Sequence, residues 1–269
     1  MLEAIFLGLI QGLTEFLPIS SSAHIRITGE FLPSAKDPGA AFTAISQIGT
    51  ELAVLLYFRR DILAIAKAWF TRDGSPEARL GNLIIIGTLP IVVLGYFGEE
   101  YITNNFRALW IVASMLIVFG LILGLADYVG KNEKVLAQLN ARDGIGYGFA
   151  QALALIPGVS RSGATIAFGR ILGYKREAAL RYSFLLALPA VFGSGFYQLQ
   201  AAVSDDASSV YSLPEIFAAT VTAFFVGYAV IAWLMKYIAT KSFMPFVVYR
   251  VALGTVLLIA LATGAISAQ

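Results

Sequence analysis

The sequence contains no cysteine and few charged residues, and each shortage excludes a class of protein. Without cysteine, neither a disulfide framework nor a thiolate metal site is possible. Asp, Glu, Lys and Arg make up 13% of the 269 residues, whereas a soluble domain has roughly a quarter. Hydrophobic residues make up 58%, in runs near the ~20 residues that cross a bilayer. The composition therefore indicates a multi-pass α-helical membrane protein.

The first apolar run, Leu2 to Pro18, also lacks basic residues, and its first charged residue is Glu3. A cleaved signal peptide begins with a positively charged region followed by an apolar one. We therefore expect this run to belong to the mature protein.

Hydropathy predicts six spanning helices, at about 40–58, 82–98, 108–128, 179–201, 214–235 and 245–266. Two further apolar stretches, about 2–33 and 144–173, are each interrupted by a run that contains proline and several serines. Non-helical backbone at membrane depth is tolerated only where it is buried in protein or lines a wet cavity. We therefore predict two re-entrant helix–loop–helix hairpins.

Basic and acidic residues fall in alternate connections. The basic ones are Arg59, Arg60, Lys67, Arg72, Arg79, Lys131, Lys134, Arg142, Lys175, Arg176, Arg181, Lys236 and Lys241. The acidic ones are Glu99, Glu100, Asp205 and Asp206. The positive-inside rule places the basic connections in the cytoplasm and both termini outside.

The two interrupted stretches resemble each other, since residues 11–23 (QGLTEFLPISSSA) match residues 151–164 (QALALIPGVSRSGA) in Gln, Pro and a serine cluster. Each copy precedes three predicted spans, an odd number, so the second copy begins on the opposite side of the membrane. We therefore predict one membrane domain, 1–269, of two inverted repeats, about 1–130 and 143–269, with the hairpin tips meeting at mid-membrane. Two coincidental kinks in hydrophobic helices are the alternative.

Each serine-rich loop leads directly into a helix, where free N–H groups and the helix dipole favour an anion. We expect Ser20 or Ser21 to cap one helix and Ser160 or Ser162 the other, and for any single serine capping alone is the simpler role. Arg161 lies between two serines, and arginine binds phosphate with two parallel hydrogen bonds. An arginine at mid-membrane costs roughly 2.5–3.5 kcal/mol, so we expect it to have a partner or a function. The loops together predict a phosphate site.

Gln11 and Glu15 are four residues apart and share a helix face. The carboxylate either holds a divalent cation, positions a base or neutralises Arg161. His24, the only histidine, follows Ser21 by three residues on the same helical face. One mechanism has Ser21 as nucleophile, His24 as base and Glu15 orienting the imidazole. The other has His24 itself attacking phosphorus, and the sequence does not separate the two.

These residues resemble a known family. Residues 11–24 and residues 157–165 (PGVSRSGAT) look like the paired motifs of the undecaprenyl-diphosphate phosphatases of the bacitracin-resistance type. The resemblance continues through residues 47–50 (QIGT), 87–90 (GTLP) and 182–189 (YSFLLALP), so it covers nearly the whole chain. It implies hydrolysis of undecaprenyl diphosphate at the outer face of the bacterial plasma membrane, which recycles the lipid carrier for cell-wall synthesis. It also implies a divalent cation, Mg²⁺ or Ca²⁺.

The resemblance assigns roles residue by residue. It implies the catalytic residues Ser21, His24 and Glu15, the metal ligands Glu15 and Gln11, and the substrate-binding residues Arg161, Ser160, Ser20, Ser22 and Ser162. Some members have glutamate where this chain has Gln11, so one charge is missing from the implied metal site. Many have Thr-Gly at Ser22-Ala23. Arg26 and Glu51 are further charges in the membrane zone, expected to pair with each other or to line the site.

The sequence bears on three other functions. Lipid phosphatases with two catalytic histidines are excluded, because the chain has one histidine. A polyprenyl-phosphate transporter or flippase stays the main alternative, since inverted repeats with broken helices are usual in secondary transporters. A purely structural role as a membrane scaffold is the simplest of the alternatives. The expected partners are undecaprenyl diphosphate and the bilayer, with no nucleic acid, and a homodimer is left open.

Overall fold

The computed structural model describes residues 1–33, 37–204 and 210–266. The regular elements of these residues are eleven α-helices: α1 (Leu2–Thr14), α2 (Ser21–Gly29), α3 (Gly39–Tyr57), α4 (Arg59–Thr71), α5 (Pro76–Asn105), α6 (Leu109–Val129), α7 (Ala141–Ala152), α8 (Arg161–Ile171), α9 (Arg176–Val203), α10 (Leu213–Ile238) and α11 (Met244–Ala262). Short 3-10 turns lie at Leu136–Gln138 and Leu153–Leu155. The predicted all-α class is confirmed.

Within the described residues, five helices are long and apolar enough to cross a membrane, namely α5, α6, α9, α10 and α11. A sixth span is obtained when α3 and α4, which are bent by 82° relative to each other, are counted together. The six predicted spans therefore coincide with six long helices, and a multi-pass membrane protein is confirmed. At 13 residues, α1 is too short to cross alone, because a helix rises 1.5 Å per residue.

Helix α4 was not predicted, since we expected its residues to form part of a connection. It is amphipathic, with Ile65 and Ala68 buried while Leu63, Lys67 and Phe70 are exposed. Hydropathy missed it because a short helix with a charged face has low mean hydropathy. Because its axis lies at 82° to that of α3, α4 does not run parallel to that helix.

The two broken helices are held by long helices from the other half of the chain. Helix α1 packs against α10, and α7 packs against α5. A Cβ added to Gly8 would lie 2.4 Å from the carbonyl oxygen of Ala219. A Cβ added to Gly148 would lie 2.4 Å from the carbonyl oxygen of Gly87. Only glycine allows helices to approach backbone to backbone in this way. Helix α3 packs against α9 and α10, and α6 packs against α11.

A buried ion network joins four helices at the end of the bundle where the basic connections lie. Asp127 accepts hydrogen bonds from Arg170 Nε at 3.1 Å, Arg176 Nε at 2.7 Å and the backbone N–H of Phe243 at 3.1 Å. Arg170 also donates to the carbonyl of Gly130. Because the four partners come from α6, α8, α9 and the start of α11, this network fixes the far end of α8.

The opposite end of the bundle carries an exception to the predicted charge pattern. Arg107 follows α5, in a connection that we predicted to be acidic, and it binds Asp37 through several hydrogen bonds of 2.6–2.9 Å. Its charge is therefore neutralised locally. Asp205 and Asp206 lie outside the described residues, and the side chains of Glu99 and Glu100 are also outside them.

Candidate active site

The two serine-rich loops have the same local geometry. Ser20 caps α2, since its Oγ accepts the backbone N–H of Ala23 at 3.4 Å, and Ser160 caps α8 by accepting that of Gly163 at 3.1 Å. Each capping Oγ also lies 3.2 Å from the serine two residues on, Ser22 or Ser162. Of the expected alternatives, Ser20 and Ser160 are thus the caps.

Both capping serines have a left-handed backbone, with φ of 75° at Ser20 and 71° at Ser160. A non-glycine residue held there costs about 1–3 kcal/mol, and such strain clusters at functional sites. The first helical hydrogen bonds start at the N–H groups of His24 and Ala164. Of the N–H groups before them, those of Ala23 and Gly163 bond to the capping hydroxyls, and the earlier ones have no acceptor within the helix. Each loop therefore presents donors to an anion.

Arg250 joins the tips of the two loops. Its fully buried guanidinium donates to the carbonyl of Pro18 in the first loop at 3.0 Å, and to those of Gly158 and Val159 in the second at 2.9 and 3.0 Å. Two more bonds reach carbonyls at the middle of α6. In the described residues Arg250 forms no salt bridge. A positive charge without a carboxylate partner therefore holds the loops together.

Glu15 is the centre of a buried polar cluster between the loops. Its Oε2 accepts hydrogen bonds from Ser21 Oγ at 2.6 Å and from Gln11 Nε2 at 2.7 Å. A third, longer bond of 3.2 Å comes from Gln47 Nε2 on α3. Its Oε1 accepts from Arg161 Nη2 at 2.6 Å. The structure thus brings Gln11, Glu15, Ser21 and Arg161 together, as predicted, and adds Gln47.

Arg161 is shared by two carboxylates. Its Nη2 also donates to Glu51 Oε1 on α3 at 2.7 Å, and Glu51 is fully buried. Within the described part of the chain, three buried atoms of this cluster have no hydrogen-bond partner: Gln11 Oε1, Glu51 Oε2 and Arg161 Nη1. Buried polar atoms are nearly always satisfied. Three unsatisfied polar atoms within one buried cluster indicate a place for a polar ligand.

His24 lies outside this cluster. Its Nδ1 is 2.7 Å from the carbonyl oxygen of Ser20, which can only accept, so Nδ1 carries the proton. Its Nε2 is 2.7 Å from Tyr249 Oη, and the two rings stack 5.5 Å apart. Among the described residues no hydrogen bond joins His24 to Glu15. The expectation that Glu15 orients the imidazole is therefore wrong, because Ser20 and Tyr249 hold both nitrogens.

The structure shows the partners of Arg26 and Glu51, the two further charges in the membrane zone. Arg26 forms a salt bridge with Glu30 and lies 3.7 Å from Asp37, so it does not pair with Glu51. Glu51 lines the site instead. Sequence reasoning missed the roles of Gln47, Tyr249 and Arg250 altogether. The cost of a charge inside an apolar span, which singled out Arg161, would also have singled out Arg250.

Comparison with known proteins gives full-length matches. The family model "Bacitracin resistance protein BacA" matches residues 4–256. The chain is 60% identical to "Undecaprenyl-diphosphatase" of Micrococcus luteus, over 99% of this chain and 99% of that protein. It is 58% identical to the protein of the same name from Paenarthrobacter aurescens, again over 99% of each. "Undecaprenyl-diphosphatase 2" of Agrobacterium fabrum is 60% identical, over 99% of this chain and 98% of its own.

Proposed function

Because the chain belongs to the bacitracin resistance protein BacA family, we propose that it hydrolyses undecaprenyl diphosphate to undecaprenyl phosphate and inorganic phosphate. The reaction recycles the lipid carrier of cell-wall synthesis and confers bacitracin resistance. The observation that carries this conclusion is the hydrogen bond from Ser21 to Glu15, beside Arg161 and between two serine-capped helix starts. A nucleophile, a base and a phosphate-binding cation meet there inside the membrane.

The proposed architecture is a pair of inverted repeats, about 1–130 and 143–269, with the first hairpin open to the outside. Equivalent positions support it. Gly8 meets the backbone of α10 as Gly148 meets that of α5, and Ser20 matches Ser160 in backbone angle and capping bond. The positive-inside pattern supports the outward opening. A lipid headgroup can then enter from the outer leaflet while its polyprenyl chain stays among lipids.

The two helix starts suit a diphosphate. The free N–H groups at the starts of α2 and α8 lie on two loops that Arg250 joins, which supports their serving one ligand. Ser22 and Ser162 flank these donors. The transition state of phosphoryl transfer is loose and anionic, so fixed donors stabilise it without reorganisation. Arg161 supplies the permanent positive charge, and its free Nη1 is available to a phosphate oxygen.

The residues present fit a divalent cation. Glu15 and Glu51 offer carboxylate oxygens, and Gln11 Oε1 and Glu51 Oε2 are buried without partners. Mg²⁺ is typically held by one or two carboxylates together with substrate phosphates. The described residues contain no group of three or more His, Cys, Asp or Glu that could hold a metal ion, so the remaining ligands would have to come from the substrate phosphates. When bound, the cation neutralises phosphate charge, which two carboxylates would otherwise repel.

The geometry favours Ser21 as the nucleophile and Glu15 as its base. Ser21 Oγ attacks the terminal phosphorus, its proton passes to Glu15 over the 2.6 Å hydrogen bond, and the P–O bond to undecaprenyl phosphate breaks. Water then cleaves the serine–phosphate bond. Attack by His24 is the second assignment, and it requires Nε2 to leave Tyr249 first.

Phosphate release from undecaprenyl diphosphate by the purified protein in detergent, with Mg²⁺ or Ca²⁺, tests the proposal. We expect Ser21→Ala to lose at least 10³-fold in kcat, on the order of the loss of an activated nucleophile, while Ser114→Ala, whose hydroxyl binds only its own helix, keeps full activity. No release from wild-type protein would refute the enzyme. Partial activity in Ser21→Ala with none in His24→Ala would favour histidine attack. Full activity in both would show that the site is wrong, and movement of polyprenyl phosphate across vesicles would then be the function to measure.

A further inference from the structure

A cavity of about 770 Å³ lies where α4 meets α5, at the basic end of the bundle. Its lining includes Trp69, Phe70, Arg72, Ser75, Arg79 and Asn82. Trp69 Nε1 donates a hydrogen bond to Asn82 Oδ1 at 2.9 Å, which holds the indole across the junction of the two helices. Small-ligand sites commonly have volumes of this order. The cavity is separate from the serine-rich loops.

The charge around the cavity is positive. Residues 59–79 include five basic and three acidic residues. Of the acidic ones, Asp61 is neutralised by Arg181 at 2.7 Å. Within the described part of the chain, neither Arg72 nor Arg79 forms a salt bridge, and both are exposed. Two guanidinium groups are therefore available to a ligand, and guanidinium matches the geometry of phosphate.

Exposed apolar residues lie beside the cavity on both helices. Along α5, one to two turns beyond the cavity, Ile85, Ile86 and Leu89 are 44%, 36% and 54% exposed. Along α4, Leu63 and Phe70 are 69% and 77% exposed. The 82° bend makes α4 run across the spanning helices, which is the orientation of an interfacial helix. A ligand there meets cationic groups at one end and hydrocarbon at the other.

We propose that this cavity binds the headgroup of an anionic phospholipid from the leaflet on the basic side of the protein. Arg72 and Arg79 bind its phosphate, Trp69 lies at headgroup level, and the acyl chains follow the exposed face of α5. The exposed apolar residues beside the cavity favour a lipid over a soluble phosphate. The positive-inside pattern assigns this leaflet to the cytoplasm.

Native mass spectrometry of the detergent-solubilised protein, titrated with dioleoyl phosphatidylglycerol, tests the proposal. A basic residue near the surface contributes enough for roughly a fivefold change in affinity, so we expect Arg72→Gln/Arg79→Gln to bind roughly 25-fold more weakly. The charge-matched control Lys131→Gln/Lys241→Gln removes two exposed cations from the same end of the molecule and should bind as wild type does. Because neither arginine has a salt-bridge partner, the lipid-free melting temperature should not change.

Three results would overturn the proposal. One is equal binding by the two double variants, and another is equal binding of dioleoyl phosphatidylcholine by the wild type. Saturable binding of glycerol 1-phosphate with the same loss in Arg72→Gln/Arg79→Gln would replace the lipid by a soluble phosphate. If the double variant does not fold, Arg79→Gln alone, with roughly a fivefold loss expected, serves the same comparison.

Discussion

Replacing Arg250 by methionine should both destabilise the protein and slow its reaction, because this side chain joins the two loops. The guanidinium binds carbonyls from residues 18, 158 and 159 and two more on α6. Methionine has a similar length and no donor, so these buried carbonyls would lose their partner.

The expected loss of stability is about 3–5 kcal/mol. Each hydrogen bond from a charged donor contributes about 1.5–3 kcal/mol, but burying the guanidinium itself is costly, so the net value is far below the sum of the five bonds. The effect on rate has a different origin. A misplacement of about 1 Å between reacting groups costs about 10²-fold, so kcat should fall at least that far once the tips separate. In Arg250→Lys a single ammonium cannot span both loops, and we expect an intermediate loss.

Arg170→Met is the matched control, since Arg170 is equally buried and makes comparable hydrogen bonds, but to Asp127 and its neighbours far from the loops. Thermal unfolding in detergent should show a lower melting temperature for both variants. Phosphate release, normalised to the monodisperse fraction, should fall only for Arg250→Met. The reasoning is refuted if folded Arg250→Met retains the kcat of the wild type, or if Arg170→Met loses as much.

Three further predictions concern separate parts of the molecule. Glu51→Gln removes one carboxylate charge and should raise the Mg²⁺ concentration for half-maximal phosphate release by about tenfold, and an unchanged Mg²⁺ dependence would contradict the cation site. Gly8→Ala would put a Cβ 2.4 Å from the carbonyl oxygen of Ala219 and should cost about 1–3 kcal/mol in thermal unfolding, whereas an unchanged melting temperature would mean that the helices can separate freely. Burial acts to raise the pKa of Asp37, but the hydrogen bonds and charge of Arg107 outweigh it and hold that pKa below its usual value. A carboxyl group whose pKa is lower in the folded than in the unfolded protein stabilises the folded state at every pH above its unfolded-state pKa. That stabilisation is lost as the pH falls through its folded-state pKa. Asp37→Asn should therefore lower the free energy of unfolding by about 1 kcal/mol at neutral pH and leave it unchanged in acid. A difference in stability between the variant and the wild type that persists in acid would contradict the pairing of Asp37 with Arg107.

The spans and the two interruptions could be predicted from the sequence, because the bilayer penalises charge and free backbone polar groups so strongly. The proline- and serine-rich runs at Pro18 and Pro157 therefore had to mark breaks, and the structure has breaks at both. Helix α4 was not predicted, because it is short and has a charged face, so its mean hydropathy is low. Its sequence pattern, with Ile65 and Ala68 on one face, competes with that of an ordinary charged connection.

The contents of the site were predictable where the residues are close in sequence. Gln11, Glu15 and Ser21 lie within eleven positions: the helical spacing pairs Gln11 with Glu15, and the short loop between α1 and α2 returns Ser21 to them. Arg161 lies on another helix, but its pairing with Glu15 was among the alternatives that the paired loops predict. For Glu51 the sequence left open whether it pairs with Arg26 or lines the site. Arg250 was not predicted, because a single polar residue in an apolar span shows that something binds it without showing what. The expected link between Glu15 and His24 failed because the helix turn directs the imidazole to Tyr249 instead.

One nitrogen of Arg161 serves two carboxylates, and this has a consequence for turnover under the proposed function. An incoming diphosphate can bind the free Nη1, but it must compete with Glu15 and Glu51 for Nη2, so full use of the guanidinium is an exchange of anionic partners. A diphosphate with its cation carries enough charge to win that exchange, whereas a monoester carries less. As hydrolysis proceeds, the carboxylates can recapture the arginine and displace the lipid monophosphate, so that product release is driven by the side chains that stabilise the resting protein.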